Sequence, residues 1–154
     1  FIWSSPPCPT HSRLIAAQKY KWEMKYPDMK LYQEIIFLQN FFKGKFVVEN
    51  VIPYYEPLIQ AQKRHRHLYW SNFNLPNILT TRKGGKIGES KKGHKADEMN
   101  KLCNFHKINL EDYKGKQSKL KMARNLVDYE AGKTILETAL NIQKANNTKQ
   151  LSIL

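Results

Sequence analysis

Two short β-prone runs flank one well-patterned helix, and that order constrains the chain more than any other feature of it. The first run, Phe1-Ile2-Trp3, leads into Ser4-Ser5-Pro6-Pro7-Cys8-Pro9, and the second, Lys45 to Val51, reads Lys-Phe-Val-Val-Glu-Asn-Val. Between them, over residues 27–42, Leu31, Ile35, Leu38 and Phe42 recur at the spacing of one helical face, and Lys43-Gly44 supplies a stop. Strand, helix and strand in this order join as a right-handed crossover, which makes the two strands parallel. Both then end at the carboxyl edge of one sheet, where open α/β folds bind their ligands. Cys8 and Glu49 are expected at that edge together.

Cys8 lies between Pro7 and Pro9, which fix φ and lack an amide hydrogen. A thiol in so stiff a turn is positioned; the plainer alternative is a small buried hydrophobe, the usual fate of a free cysteine. Further on, Gln62-Lys63-Arg64-His65-Arg66 runs into His67-Leu68-Tyr69-Trp70-Ser71-Asn72-Phe73, which is read as another strand with Gln62, Arg64 and Arg66 on one side. The connection from Val51, with Pro53 and Pro57 in it, is short for a parallel return. An antiparallel strand starting beside the end of the Glu49 strand is therefore expected. It would bring Arg64 and Arg66 to Cys8 and Glu49, so that a nucleophile, an acid and paired guanidiniums share one cleft.

These segments, in this order, resemble the motifs of the DNA (cytosine-5) methyltransferase family. Pro6-Pro7-Cys8 is similar to its nucleophile motif, Asp28-Met29-Lys30-Leu31 to its Asp-x-Arg helix start with lysine in the basic position, and Glu49-Asn50-Val51 to its Glu-Asn-Val motif. Gln62-x-Arg64-x-Arg66 is similar to its Gln-x-Arg-x-Arg motif, and Arg124-Asn125-Leu126-Val127 to its closing Gly-Asn-x-Val, with arginine at the glycine position. Compact phage and bacterial members resemble the chain best, notably over residues 66–73. The resemblance implies a partial Rossmann-like methyltransferase fold: a mostly parallel α/β sheet with an antiparallel strand and a helical C-terminus. The catalytic half is read as residues 1–77, a short basic recognition segment as 78–120, and a helical return as 121–154.

The resemblance also implies a chemistry. Cys8 adds as thiolate to carbon 6 of a flipped-out cytosine, and the enamine so formed takes a methyl group from S-adenosylmethionine at carbon 5; such covalent catalysis divides one hard step into easier ones. Glu49 holds the ring nitrogen and exocyclic amine, Arg66 the ring carbonyl, and Arg64 with Arg66 supplies the positive surroundings that a thiolate needs. Pro7, Asn50, Val51 and Gln62 are implied around the base; Asp28, Leu31, Asn125 and Val127 around the methyl donor. The family's Phe-x-Gly-x-Gly cofactor loop has no counterpart here. The chain therefore reads as an N-terminally truncated enzyme, monomeric when complete and not expected to methylate DNA as it stands.

Charge fits a nucleic-acid partner. The formal net charge is +13 over 154 residues, with an isoelectric point near 9.7. Residues 78–124 hold 13 Lys/Arg against 5 Asp/Glu. Within them Arg82, Lys83, Lys86, Lys91 and Lys92 stand among glycines with few apolar neighbours. That composition is a solvated loop, and beside a base-processing cleft it is also a surface for phosphates of double-stranded DNA.

The remainder reads as helical: a short helix over 96–105, a turn or helix start at 109–113, and a longer helix capped by Asp128 with Ile135, Leu136, Ala139, Leu140 and Ile142 as its apolar stripe. No apolar run approaches the roughly twenty residues of a membrane span, and no basic leader precedes an apolar run as in a signal peptide. Two distant cysteines fit a reducing compartment, here the cytoplasm of a bacterium or phage-infected host. Two Cys-x-x-His pairs, Cys8/His11 and Cys103/His106, have zinc-ligand types, but they lie far apart and Cys8 already has a role, so no metal is expected. A zinc deaminase is disfavoured by the absence of His-x-Glu. The stronger alternative is a catalytically inactive DNA-binding protein that retains the fold.

Overall fold

The strand–helix–strand order forms, and a hairpin extends it. The computed structural model describes residues 1–13, 26–81 and 95–142. Its elements are β1 (Ile2–Ser4), α1 (Lys30–Phe41), β2 (Phe46–Val51), β3 (Gln62–Arg64), β4 (His67–Ser71), α2 (Lys95–His106), α3 (Lys119–Asn125) and α4 (Tyr129–Ala139). The fold is α/β, with a four-stranded mixed sheet in the order β1-β2-β4-β3. β1 and β2 are parallel, with Trp3 beside Val47; β4 is antiparallel to β2 and to β3.

Local chemistry sets the limits of α1. Asp28 Oδ1 accepts the free amide of Lys30 at 3.0 Å, and the amide of Asp28 donates to Thr10 Oγ1 at 3.1 Å, tying the helix start to the Cys8 loop. At the other end Phe42 turns extended while its amide still donates to Leu38. A Cβ at Gly44 would come within 2.7 Å of the Phe42 ring, so any larger residue there would have to displace that ring. The inner face of α1 is Leu31, Tyr32, Ile35 and Leu38; it packs on Phe46, Val48, Leu68 and Trp70 of the sheet. Burying each such side chain contributes about 1.5–3 kcal/mol, which makes this layer contact the main source of stability in the first half of the chain.

One expectation is corrected. Residues 62–73 do not form a single strand: His65 takes φ 48° and, with Arg66, makes a two-residue turn between β3 and β4. The strand that starts beside the end of β2 and runs antiparallel to it is β4, with Val51 opposite His67 and Glu49 opposite Tyr69. β3 lies beyond β4 as an edge, running in the same direction as β2. The alternation that placed Gln62, Arg64 and Arg66 on one side is broken at the turn. The turn itself still lies at the carboxyl edge, where the amide of Ile52 donates to the carbonyl of Arg66 at 3.4 Å.

The chain divides into two compact units, Phe1–Asn77 with Glu137–Leu154, and Ile78–Leu136. Residues 121–136 thus group with 78–120 rather than with the end of the chain. In the second unit α2 and α3 are joined by Arg124, which grips the buried Glu98 carboxylate with two hydrogen bonds of 2.8 and 2.7 Å. Ser118 caps α3, and Asp128 Oδ1 accepts the amide of Glu130 at the start of α4. Of the expected apolar stripe, Ile135 and Ala139 are buried, whereas Leu136, Leu140 and Ile142 are exposed. Among the described residues no helix is long and apolar enough to cross a membrane.

The inner face of α1 predicts a sharp contrast between neighbours. Ile35→Ala, at a fully buried position, should lower the urea-unfolding free energy by about 2–5 kcal/mol. Ile36→Ala, half exposed one residue on, should change it by no more than about 0.5 kcal/mol. Equal losses would contradict the assignment of the inner face.

Candidate active site

The Cys8 loop is held by its carbonyls. Pro6, Pro7 and Pro9 have no amide hydrogen to donate, so the loop offers the rest of the protein mainly acceptors. The buried side chain of Asn50 donates to Pro6 O at 3.0 Å, and its own Oδ1 accepts the amide of Val51 at 2.9 Å. The Cys8 carbonyl accepts the amides of both His11 and Ser12 at 3.0 Å. Beyond it, Ser12 bridges Pro53, Arg13 Nε donates to Pro53 O, and the amide of Tyr54 donates to His11 O. His11, 1% exposed, completes the anchor through Nδ1, which is hydrogen-bonded to the Tyr55 hydroxyl; Tyr55 in turn accepts the hydroxyl of Tyr32. Burial keeps the His11 imidazole below its ordinary 6.5, which favours the neutral ring.

Strand alternation then decides what faces Cys8. Phe46, Val48 and Asn50 point to the α1 side of β2, leaving Val47, Glu49 and Val51 on the other. Trp3 pairs with Val47, so Trp3 and, two residues on, Ser5 share the Glu49 side. There Trp3 Nε1 donates to Ser5 Oγ at 3.0 Å and Ser5 Oγ donates to Glu49 Oε2 at 2.8 Å. From β4, His67 Nε2 lies 3.4 Å from Glu49 Oε1, and Tyr69 is the direct cross-strand neighbour. The Glu49 side chain is only 12% exposed and that of His67 36%. Loop and strand end therefore form one site, in which Glu49 raises the energy of a charged Cys8.

The two arginines part company. Arg64 does not serve Cys8: its guanidinium donates to the carbonyls of Leu75 and Pro76 at 2.6 Å each and to Lys63 O at 2.9 Å. Gln62 does the same work beside it, donating to Ser71 Oγ and Phe73 O and accepting the amide of Leu75. Together they staple the segment after β4 onto β3, so neither is free to meet a substrate. The reason is the hairpin, which puts both side chains over the returning chain. Arg66 sits exposed in the turn at the carboxyl edge, with no hydrogen bond or ion pair of its side chain among the described residues, and its charge is felt at His67.

Electrostatics at Cys8 also differ from expectation. Burial pushes its thiol above the ordinary 9.0, the Glu49 carboxylate pushes it further, and only a backbone hydrogen bond opposes them. The free protein thus holds a protonated thiol, not a thiolate made by flanking guanidiniums. His67 stays below its ordinary 6.5, chiefly through burial; Glu49 pulls it up, while Arg66 and His65 pull it down. The Tyr69 phenol is pushed up by burial and by Glu49, so it remains protonated.

Of the residues expected around a methyl donor, Asp28 and Leu31 belong to the first unit and Asn125 and Val127 to the second. Leu31 is inside the α1 core, and the Asp28 carboxylate is spent on the helix start. Asn125 lines a shallow groove of about 510 Å³ in the second unit with Met99, Ser118 and Lys121, and Val127 is exposed two residues beyond. Pro7 is exposed at the loop tip and Val51 half-buried at the end of β2. Arg82, Lys83, Lys86, Lys91 and Lys92 lie outside the described residues. Among the described residues no three His, Cys, Asp or Glu side chains gather as metal ligands. The chain matches no family model, no curated protein and no solved structure.

Ser5, His67 and Trp3 are the site residues that motif reading missed. Period-two alternation carried the signal: Trp3 and Ser5 share a side, and His67 follows the turn one residue after Arg66. In a Cys103→Ser background, alkylation of Cys8 should titrate with a midpoint above 9.0. Glu49→Gln should move that midpoint down, because it removes the carboxylate that disfavours the thiolate. A midpoint below 9.0, or one that ignores Glu49→Gln, would contradict the site's electrostatics.

Proposed function

We propose that this chain carries the cytosine-handling site of a DNA (cytosine-5) methyltransferase, built on part of a Rossmann-like methyltransferase fold. The observation that carries the reading is the joining of the Pro-Pro-Cys loop to the Glu-Asn end of β2, through Asn50 to Pro6 and Ser5 to Glu49. Cys8 attacks carbon 6 of a flipped-out cytosine; Glu49 faces the ring nitrogen and amine; Arg66, exposed at the same edge, takes the ring carbonyl. Arg64 and Gln62 support the site by fixing the segment after β4. S-adenosylmethionine is the methyl donor that the motifs imply, and it supplies the electrophilic methyl group when bound. Double-stranded DNA is the partner, attracted by the excess of positive charge.

Two observations favour the alternative, an inactive DNA-binding protein: the free thiol is pushed up, and Arg64 is spent elsewhere. Addition to carbon 6 separates the two readings without a methyl donor, because the adduct makes carbon 5 basic and its hydrogen exchanges with water. The chain should release tritium from carbon 5 of a mispaired cytosine in an oligonucleotide duplex. Cys8→Ser should slow release by about three orders of magnitude or more, as loss of a nucleophile does, with unchanged affinity for the same duplex. Binding without release by the wild type would establish the inactive reading instead.

A further inference from the structure

We propose that His67 is the proton-exchange partner of Glu49, a positioning residue that recharges the carboxyl group from solvent each time it gives a proton to the base. The inference rests on the reading of Cys8 and Glu49 given above. Its ground is the geometry of one carboxylate. Ser5 donates to Oε2 of Glu49 and can only orient it, while Oε1 lies 3.4 Å from His67 Nε2. Glu49 is almost enclosed and His67 is a third exposed, so the imidazole is the more open end of the pair.

The other charged or titratable neighbours do not fill this role. Tyr69, on the same strand as His67, is held protonated by burial and by Glu49. Cys8, on the loop, is the nucleophile. Arg64, opposite His67 on β3, is bound to the carbonyls of Leu75 and Pro76. His65 and Arg66, in the turn, act on His67 by charge, opposing its protonation. Among the described residues only the imidazole both approaches the carboxylate and changes charge within the ordinary working range.

The protons balance. As the Cys8 S–H bond breaks and sulfur bonds to carbon 6, the ring nitrogen gains a proton from the Glu49 O–H. Glu49 regains one from His67 Nε2–H, and His67 is refilled from water, which has taken the thiol proton. Elimination reverses each transfer. The thiol loses one proton and the ring gains one, so the protein with neutral His67 and thiol differs from the reactive form only in where its protons sit. The rate of addition is then flat with pH between the His67 and Cys8 titrations, although the reactive form is a minor one.

Two measurements on wild type, His67→Gln and Glu49→Gln test this. In the wild type, tritium release from carbon 5 should be level from about pH 7 to 8.5, between the ordinary titrations of imidazole and thiol. His67→Gln keeps a polar side chain but cannot carry the proton. Its release should be slower across that range, and added imidazole should restore rate at pH 7. Independently, the NMR titration midpoint of the His67 ring should fall in Glu49→Gln. A wild-type rate in His67→Gln, no rescue by imidazole, or an unmoved His67 midpoint overturns this inference while leaving Cys8 as nucleophile. No release by the wild type overturns the preceding reading, and the inference with it.

Discussion

A single buried amide holds the site together. Asn50, 3% exposed at the end of β2, donates to the carbonyl of Pro6 and accepts the amide of Val51. Because Pro6, Pro7 and Pro9 lack amide donors, the stretch leading into Cys8 offers mainly acceptors, and Pro6 takes its donor from outside the loop. Leaving such a buried group unpaired costs about 1–3 kcal/mol, so the contact sets the loop's position as well as its stability. The Ser5–Glu49 hydrogen bond and the proximity of Cys8 to Glu49 both follow from where Asn50 holds Pro6.

The strand order then divides the labour between the faces of the sheet. One face of β2 and β4 gives Phe46, Val48, Leu68 and Trp70 to the α1 core, and the other gives Glu49, His67 and Tyr69 to the site. A one-residue slip in register would exchange the two sets, so the hydrophobic pattern that fixes the core also fixes the chemistry. The hairpin adds a second constraint. By turning at His65 and Arg66 it brings His67 to the carboxyl edge and sends Gln62 and Arg64 over the segment 71–76.

Much of this was legible in the residues. The helical period of Leu31, Ile35 and Leu38, bracketed by two β-branched runs, was enough for the parallel pair and for the placing of Cys8 near Glu49. The cap at Asp128 and the short helix from about residue 96 were readable by the same local rules. The hairpin was not, because no Gly or Asn marks its turn: His65 adopts positive φ, which L-residues other than Asn, Asp and His seldom do. With the turn unseen, Arg64 and Arg66 appeared to be a pair, when one supports the fold and the other remains exposed. The raised thiol was equally hidden, since it depends on burial and on one carboxylate across the sheet rather than on sequence neighbours.

The central claim is that Cys8 and Glu49 form one site that adds a thiol to a cytosine ring. It is tested most directly by mass spectrometry of the chain after incubation with a duplex carrying 5-azacytosine, whose ring is readily attacked at carbon 6. The account predicts a covalent protein–DNA species whose cross-linked peptide contains Cys8 and not Cys103, and which is lost in Glu49→Gln while the duplex still binds. Attachment at Cys103, or a Cys8 adduct indifferent to Glu49→Gln, would contradict it.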